Sequence, residues 1–393
     1  MKNINVQYLA GDLIEVSKPL KPYDRIVCEF LFELSKRLQK DRKAAAYPDI
    51  LTFAFYCRKA NILKRKLSFE DDKVRIGRGT IFHIAPSNIP INFMFSYVFG
   101  LLAGNANIVR VSTKKFEQTE IICDIMNQMF ELEKFFPIKE HTAIISYEHD
   151  QNITDQLSAF CDGRVIWGGD STIKEVRKSP IASRCVEITF ADRFSFGILD
   201  AKKIMALMDE ELFNLAEAFY NDTYLMDQNA CSTPHLLLWK KTSDTEKAKT
   251  RFWKAVFDVA NKYNLADIKV SEKYTQLIEY AIEMENIAYI HKYENLVYII
   301  GLTKLDSKLT NYRGKYGLFF EYDIEDINEI ADYVTNTVQT CAYFGVDREE
   351  IINSILDNHM MGIDRVVPFG TTLDIDVIWD GYDIVNQLSR IIG

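Results

Sequence analysis

Two short segments hold residue types that could do covalent chemistry. The first is Met226-Asp-Gln-Asn-Ala-Cys231-Ser-Thr-Pro234. Its cysteine follows a polar turn and precedes the apolar run His235–Trp239. A thiol at such a junction can face a cleft. A nearby helix N-terminus or a cluster of backbone amides would lower its pKa and make it a nucleophile. The same position also suits a small buried hydrophobe. The second segment is Ile84-Ala-Pro-Ser-Asn88-Ile-Pro90. Pro86 and Pro90 restrict the backbone on either side of Asn88 and so fix the direction of its amide. A rigid amide donor suits a developing oxyanion. A plain strand-to-helix turn, with Asn88 capping the next helix, uses the same residues.

The other six cysteines (28, 57, 123, 161, 185 and 341) mostly fall within apolar patterns. No CxxC pair occurs, so reduced thiols are expected rather than a disulfide scaffold or a zinc knuckle, and no metal site is expected. His235 and His359 are alternative proton donors with no better claim. His83, in an apolar strand, reads as a satisfied core residue. A net charge of −9 excludes a broad nucleic-acid footprint, while leaving room for a local basic patch toward a phosphorylated cofactor. The first residues lack the apolar core of a signal peptide. The most apolar run, Phe93 to Ala103, falls far short of the roughly 20 residues a spanning helix needs. Asn92 and Gly104-Asn105 read as its start and stop, giving a buried helix. A cytoplasmic protein with no membrane span is expected.

These residues need elements to position them. Helical periodicity predicts helices over Tyr23–Lys40 and Asp49–Leu63. From Gly77 onward short β-rich runs alternate with helical ones. Strands are predicted over Thr80–Ile84, Ile108–Val111, Thr142–Ser146 and Arg164–Trp167, with helices over Asn92–Ala103, Glu117–Leu132, Asn152–Phe160 and Ser171–Arg177. This alternation implies a parallel sheet with helices on both faces. Nucleotides bind at the carboxyl ends of strands in such sheets. A second region opens near Leu199–Met205, with a long helix reaching Tyr220 and a strand at His235–Trp239. Helices over Thr245–Tyr263 and Lys273–Met284, and strands over Leu296–Ile300 and Leu318–Glu321, complete it.

In order along the chain, the segments resemble a known superfamily. Arg75 to Pro90, the following helix, and Leu102-Ala-Gly-Asn-Ala-Asn-Ile-Val-Arg-Val-Ser112 are similar to the cofactor-domain entry of aldehyde dehydrogenases. That family has a Pro-x-Asn-x-Pro turn, a helix ending in Ala-Gly-Asn, and a strand ending in a lysine that touches the adenosine ribose. Arg110 takes that lysine's place. Val165-Ile-Trp-Gly-Gly-Asp-Ser-Thr172 resembles the family's later turn and helix. There the small Gly168 and Gly169 would admit a cofactor, and the helix start would favour phosphate. Gln228-Asn-Ala-Cys231 resembles the catalytic segment. Within the superfamily the sequence is most similar to the LuxC-type acyl-CoA reductases. Asp364-Arg-Val-Val-Pro-Phe-Gly370, Trp379-Asp-Gly-Tyr-Asp383 and Leu388-Ser-Arg390 carry that likeness. The tail itself reads as structural, with Trp379 as an anchor and Asp380-Gly381 as a turn.

The resemblance implies an α/β aldehyde-dehydrogenase-like fold. A Rossmann-type nucleotide-binding domain would span residues 1–200, with 361–393 returning to it, and an α/β catalytic domain would span 201–360. A small oligomerisation extension and a homo-oligomer fit the family. Cys231 would be the nucleophile and Asn88 the oxyanion donor. Pro86, Arg110, Ser112, Thr113, Gly168, Gly169, Asp170 and Ser171 would face the cofactor. The implied reaction reduces an acyl-CoA, or a carrier-bound acyl thioester supplied by an acyl-transferring partner enzyme, to an aldehyde. Hydrolytic members use a glutamate in Glu-Leu-Gly-Gly. Here Glu187 stands in Val186-Glu-Ile-Thr-Phe190 without the glycine pair, either as a general base or as an edge-strand carboxylate. NAD-preferring members often carry an acid three residues after the ribose-contacting lysine. Thr113, followed by Lys114 and Lys115, points to NADPH, although a solvated basic loop explains the same residues. Two other functions remain: a CoA-independent aldehyde dehydrogenase, and a non-catalytic scaffold that binds acyl carriers.

Overall fold

The computed structural model describes residues 4–14, 18–69, 72–331 and 333–392. The chain divides into two compact units, Met1–Ala191 with Tyr382–Gly393, and Asp192–Gly381. The sequence reading sets the bounds at 1–200 with 361–393, and 201–360. The run Phe194–Asp200, placed above in the first domain, is a strand of the second sheet, and so is Arg365–Pro368 from the expected returning tail. Both pair with Val338–Phe344, and that hydrogen-bonded ladder fixes their unit.

The first unit is built on strands β1 (Gln7–Gly11), β2 (Arg75–Gly77), β3 (Thr80–Ile84), β4 (Ala106–Val111), β5 (Thr142–Ser146), β6 (Gly163–Trp167) and β7 (Val186–Phe190). Six of them form one sheet in the order β1-β5-β4-β3-β6-β7. All neighbours run parallel except β1 against β5. The chain winds outward one way through β4 and β5 and the other way through β6 and β7. This places a switch point beside β3, where the carboxyl ends open a crevice. β3 is buried at every residue, as expected of a central parallel strand covered on both faces.

The helix Asn92–Leu102 is buried along its whole length. Gly104, at φ +86, stops it. The next side chain joins distant parts of the unit. Asn105 Oδ1 accepts from the Arg78 and Gly79 amides at 2.6 and 3.1 Å. Its Nδ2 donates to the carbonyls of Gly100 at 3.2 Å and Leu388 at 2.9 Å. The returning strand Ser389–Ile391 pairs antiparallel with β2 beside it. His83 is the satisfied core histidine expected. Its ring nitrogens contact Ser96 Oγ at 2.7 Å and Asn107 Oδ1 at 2.9 Å, and burial lowers its pKa to about 4.

The second unit holds β8 (Phe194–Asp200), β9 (Pro234–Lys240), β10 (Ile287–Tyr293), β11 (Val297–Leu302), β12 (Leu318–Ile324), β13 (Val338–Phe344) and β14 (Arg365–Pro368). The sheet order is β10-β11-β12-β9-β8-β13-β14, parallel apart from β10 against β11. One face packs under the helices Asp209–Thr223 and Thr245–Ala260 through Phe219, Trp239, Phe252 and Trp253. The other packs through Phe196, Leu236, Ile300 and Phe320. The single helix expected over Asp49–Leu63 is two, Pro48–Tyr56 and Lys59–Phe69. Among the described residues no helix is long and apolar enough to cross a membrane.

Gly100 allows the buried helix to lie against β4. A Cβ there would stand 1.8 Å from Asn107 Oδ1 and 2.9 Å from His83 Nε2. Gly100→Ala is therefore expected to destabilise the protein by about 1–3 kcal/mol, the cost of overpacking a core. Urea denaturation measures it, and an unchanged midpoint would show that the helix can move aside.

Candidate active site

Cys231 sits at the amino ends of the second unit's parallel strands, three residues before β9. The helix Asp209–Thr223 runs into one tight turn, Tyr224–Met226. Asp227 (φ 53) and Gln228 (φ 60) then reverse the chain in left-handed conformations without a glycine. Side-chain bonds offset that conformational cost. The buried Gln228 Oε1 accepts from the amides of Gly317 (2.5 Å) and Leu318 (3.2 Å), and its Nε2 donates to the Leu318 carbonyl at 3.0 Å. Asp227 pairs with Lys269 at 2.9 Å and accepts from the Tyr263 hydroxyl. Beyond Cys231, Thr233 Oγ1 donates to the Asp222 carbonyl at 2.9 Å. Ser195 Oγ donates to the Cys231 carbonyl at 2.7 Å and accepts from the Thr340 amide at 3.2 Å.

The tail motifs pack around the same strand ends. Asp222 accepts from the Gly370 and Thr372 amides at 2.6 and 3.0 Å, and burial pushes its carboxyl up to about 6. The Arg365 guanidinium lies over the Trp379 ring at 4.2 Å and donates to the Thr372 carbonyl at 2.9 Å. Arg193 donates to the Val338 carbonyl at 3.0 Å, and its guanidinium pairs with Asp364 and, at 3.0 Å, with Asp380.

The half-buried Cys231 thiol departs from the sequence-based expectation of a lowered pKa. Burial raises it. The Arg193 backbone N–H and the Arg313 charge act the other way, and Asp380 and Asp192 add to the rise. One amide and one cation face the sulfur from this unit, and burial outweighs them. None of the seven cysteines forms a disulfide. Cys161 and Cys185 bring their sulfurs to 3.8 Å, a proximity their spacing did not reveal.

In the first unit the expected cofactor residues gather at the carboxyl ends of three adjacent strands. Pro86 follows β3, Ser112 and Thr113 follow β4, and Gly168 to Ser171 follow β6, while Arg110 is the fifth residue of β4. Ala85, Pro86, Pro90, Phe93, Val111 and Phe116 line much of a groove there. The Arg110 guanidinium lies 4.9 Å from the Tyr147 ring centre, and its buried Nε has no hydrogen-bond partner among the described residues. This unpartnered donor is a group that a nucleotide's ribose hydroxyl would satisfy. Thr113 is exposed, as are Lys114 and Lys115, with the Lys114 amine over Phe116 at 4.9 Å. Asn88 is exposed and does not cap the following helix, whose N-cap is Ile91 without a side-chain bond. The capping alternative is thereby removed.

Glu187 stands on β7, an edge strand of the first sheet. It lies directly across β6–β7 from Arg164. Arg164 Nε donates to one of its oxygens at 2.8 Å and Arg177 Nε to the other at 2.7 Å. Burial would raise its pKa, but hydrogen bonds from Arg177 and Arg164, with their charges, hold it below the ordinary value. A carboxylate so engaged is a poor base. His235 is buried, and its pKa is pushed down to about 3, chiefly by burial and also by Arg313, so at neutral pH it is the neutral imidazole and not the acidic imidazolium. His359 lies exposed past the helix Arg348–Asp357. Sequence reasoning missed Arg193, Ser195 and Asp222. Their only signal was the acidic character of the tail, with nothing to show what it paired with.

The fold is that of the aldehyde dehydrogenases. A NAD-dependent benzaldehyde dehydrogenase from Corynebacterium glutamicum matches with a TM-score of 0.62 at 12% identity, covering 98% of this chain and 94% of that one. A salicylaldehyde dehydrogenase from Pseudomonas putida G7 matches with a TM-score of 0.64 at 14% identity, covering 94% and 84%. Within this class, the model of the acyl-CoA reductase (LuxC) family matches residues 60–391, and the chain belongs to that family. Among curated relatives, the long-chain acyl-protein thioester reductase of Vibrio harveyi is 26% identical over 157 residues, 39% of this chain and 30% of that protein. The long-chain acyl-protein thioester reductase 2 of Photobacterium leiognathi is 21% identical over 328 residues, 80% of this chain and 63% of that protein. The chain thus spans less than two thirds of the length of either relative.

Gln228→Ala would leave the Gly317 amide without its buried acceptor and release a left-handed turn, while the Leu318 amide keeps the Lys315 carbonyl at 3.2 Å. A loss of about 1–3 kcal/mol is expected from one unsatisfied amide. Thermal or urea unfolding reads it directly. Full retention of stability would show that water or a shifted loop replaces the glutamine.

Proposed function

We propose that this chain reduces an acyl thioester to an aldehyde through a covalent acyl-Cys231 intermediate. The observation that carries this reading is the placement of Cys231. It alone among the cysteines ends a side-chain-braced reverse turn at the strand ends, half-buried, with a backbone N–H directed at its sulfur. Membership of the acyl-CoA reductase family supports the substrate class, and the two relatives, named as acyl-protein thioester reductases, support a carrier-bound acyl group as an alternative to acyl-CoA.

The Cys231 thiolate attacks the carbonyl carbon, forming a new C–S bond. The Asn88 amide and the Cys231 backbone N–H are assigned to the oxyanion. Collapse breaks the original C–S bond, and the leaving thiolate of CoA or the carrier takes a proton from water. One thioester replaces another, so this step is nearly balanced in energy. A reduced nicotinamide, when bound, supplies the hydride that converts the Cys231 thioester to the aldehyde. The engagement of Glu187 by two arginines supports reduction over hydrolysis, because deacylation by water needs a base. In this reading the first unit binds the nucleotide and the second carries the nucleophile. A cytoplasmic homo-oligomer receiving acyl groups from a partner enzyme completes it.

Intact-mass spectrometry after mixing with acyl-CoA of graded chain length, without nicotinamide, is expected to show one acyl adduct that Cys231→Ala lacks. Reduction of acyl-CoA by Cys231→Ala at the wild-type rate would end this reading.

The positive Lys114 and Lys115 next to Thr113 favour a 2′-phosphate. NADPH is expected to bind about tenfold more tightly than NADH, the value of one charge-assisted contact. Neutralising both lysines should erase the difference. Equal affinity of the wild type for the two nucleotides would remove the NADPH assignment.

A further inference from the structure

The tail motifs have no chemical task in the reaction above, yet two of them, those of Asp364 and Asp380, meet at one guanidinium. Arg193 stands immediately before β8, and Phe194, the first residue of that strand, donates its amide to the Thr337 carbonyl at 2.8 Å. The Arg193 guanidinium reaches Asp364, Asp380 at 3.0 Å and the Val338 carbonyl at 3.0 Å. Asp380 is itself held by Gln339 Nε2 at 2.9 Å and is almost wholly buried. The turn that presents it is tight. Asp380 has φ 54, and a Cβ on Gly381 would stand 2.8 Å from Asp364 Oδ1. Two carboxylates from a reverse turn and a strand entry therefore close on a single arginine.

Burying such a cluster is costly. Apolar residues of similar volume often stabilise a protein as well or better, so the cluster calls for another explanation than stability. Its geometric consequence is a fixed Arg193 peptide beside Cys231. The Cys231 carbonyl accepts from Ser195 Oγ, two residues after Arg193, at 2.7 Å, and the Arg193 backbone N–H donates the hydrogen bond that lowers the Cys231 thiol pKa. We propose that Arg193 is a positioning residue, clamped by Asp364 and Asp380 so that its backbone N–H stays on Cys231 Sγ and stabilises the thiolate. The inference deepens the reading of Cys231 as nucleophile and rests on it. It gives the tail an active-site task in place of the purely structural one read from the sequence.

The charged groups of this unit acting on the thiol are Arg313, which lowers its pKa, and Asp380 and Asp192, which raise it. This gives the test an opposed sign. If Asp380 acted only through its charge, Asp380→Asn would make the thiol more acidic. If Asp380 holds the amide in place, the same variant makes it less acidic.

The measurement is the pH dependence of iodoacetamide alkylation at Cys231, read by peptide mass so that the other six thiols do not contribute. In Asp380→Asn the apparent pKa is expected to rise by about one unit, and alkylation at neutral pH to slow about tenfold. Asp364→Asn, at the more exposed partner, carries the same expectation with less risk to folding. Arg193→Lys, which keeps the charge but cannot bridge both carboxylates, should shift the pKa in the same direction by less. Unfolded protein is recognised by alkylation of the buried Cys57 and Cys341, and the folded variants then decide. A fall or no change in the Cys231 pKa in folded variants overturns the clamp. If the wild type forms the acyl adduct while the profile stays unmoved, the clamp alone fails. If no adduct forms, the nucleophile reading fails with it.

Discussion

Ionising a thiol while keeping it out of water is the constraint that organises the second unit. Burial pushes Cys231 up, and its placement at the amino ends of parallel strands is the physical answer. Backbone N–H groups at and near strand starts need acceptors. Turn carbonyls supply some of them here and side chains others. Gln228 takes those of Gly317 and Leu318, and Ser195 takes that of Thr340. The Arg193 N–H is directed at the sulfur instead. The left-handed turn at Asp227 and Gln228 and the tail cluster are needed for that arrangement to hold.

The first unit solves a different problem with the opposite end of its sheet. Its chemistry-bearing residues lie past the carboxyl ends of β3, β4 and β6, where the winding of the chain reverses. Nothing there requires an ionised side chain. A groove lined in part by Pro86, Pro90, Phe93 and Phe116 lies there, and the Arg110 guanidinium rests on Tyr147. Part of the unit's polar interior is closed by short loops of contacts, such as those of His83, Ser96 and Asn107, while the Arg110 Nε beside the crevice has no partner among the described residues.

The first unit's βα alternation was legible because its strands are short, branched and bounded by turn residues; Thr80–Ile84 and Thr142–Ser146 match the structure residue for residue. Phe194–Asp200 was not legible, because Gly197 interrupts its apolar pattern. That glycine faces Phe369, whose ring leaves no room for a Cβ. Val338–Phe344 hides for a related reason, since Gln339 and Thr340 are buried polar residues whose partners lie far along the chain. The fate of Glu187 depended on a register that no local pattern encodes, the pairing of Arg164 opposite it across two strands. The nucleophile was legible as a position, whereas its electrostatics were not, because Arg193, Arg313 and Asp380 come from three separate segments.

The return of the chain to its starting unit has a consequence for biosynthesis. The Asn105 amide waits for the carbonyl of Leu388, 283 residues later, and β2 waits for Ser389–Ile391. At ribosomal speeds of about 5–20 residues per second, that interval lasts roughly 15–60 s. During it the second unit is made while the Asn105 amide and the β2 strand lack these partners.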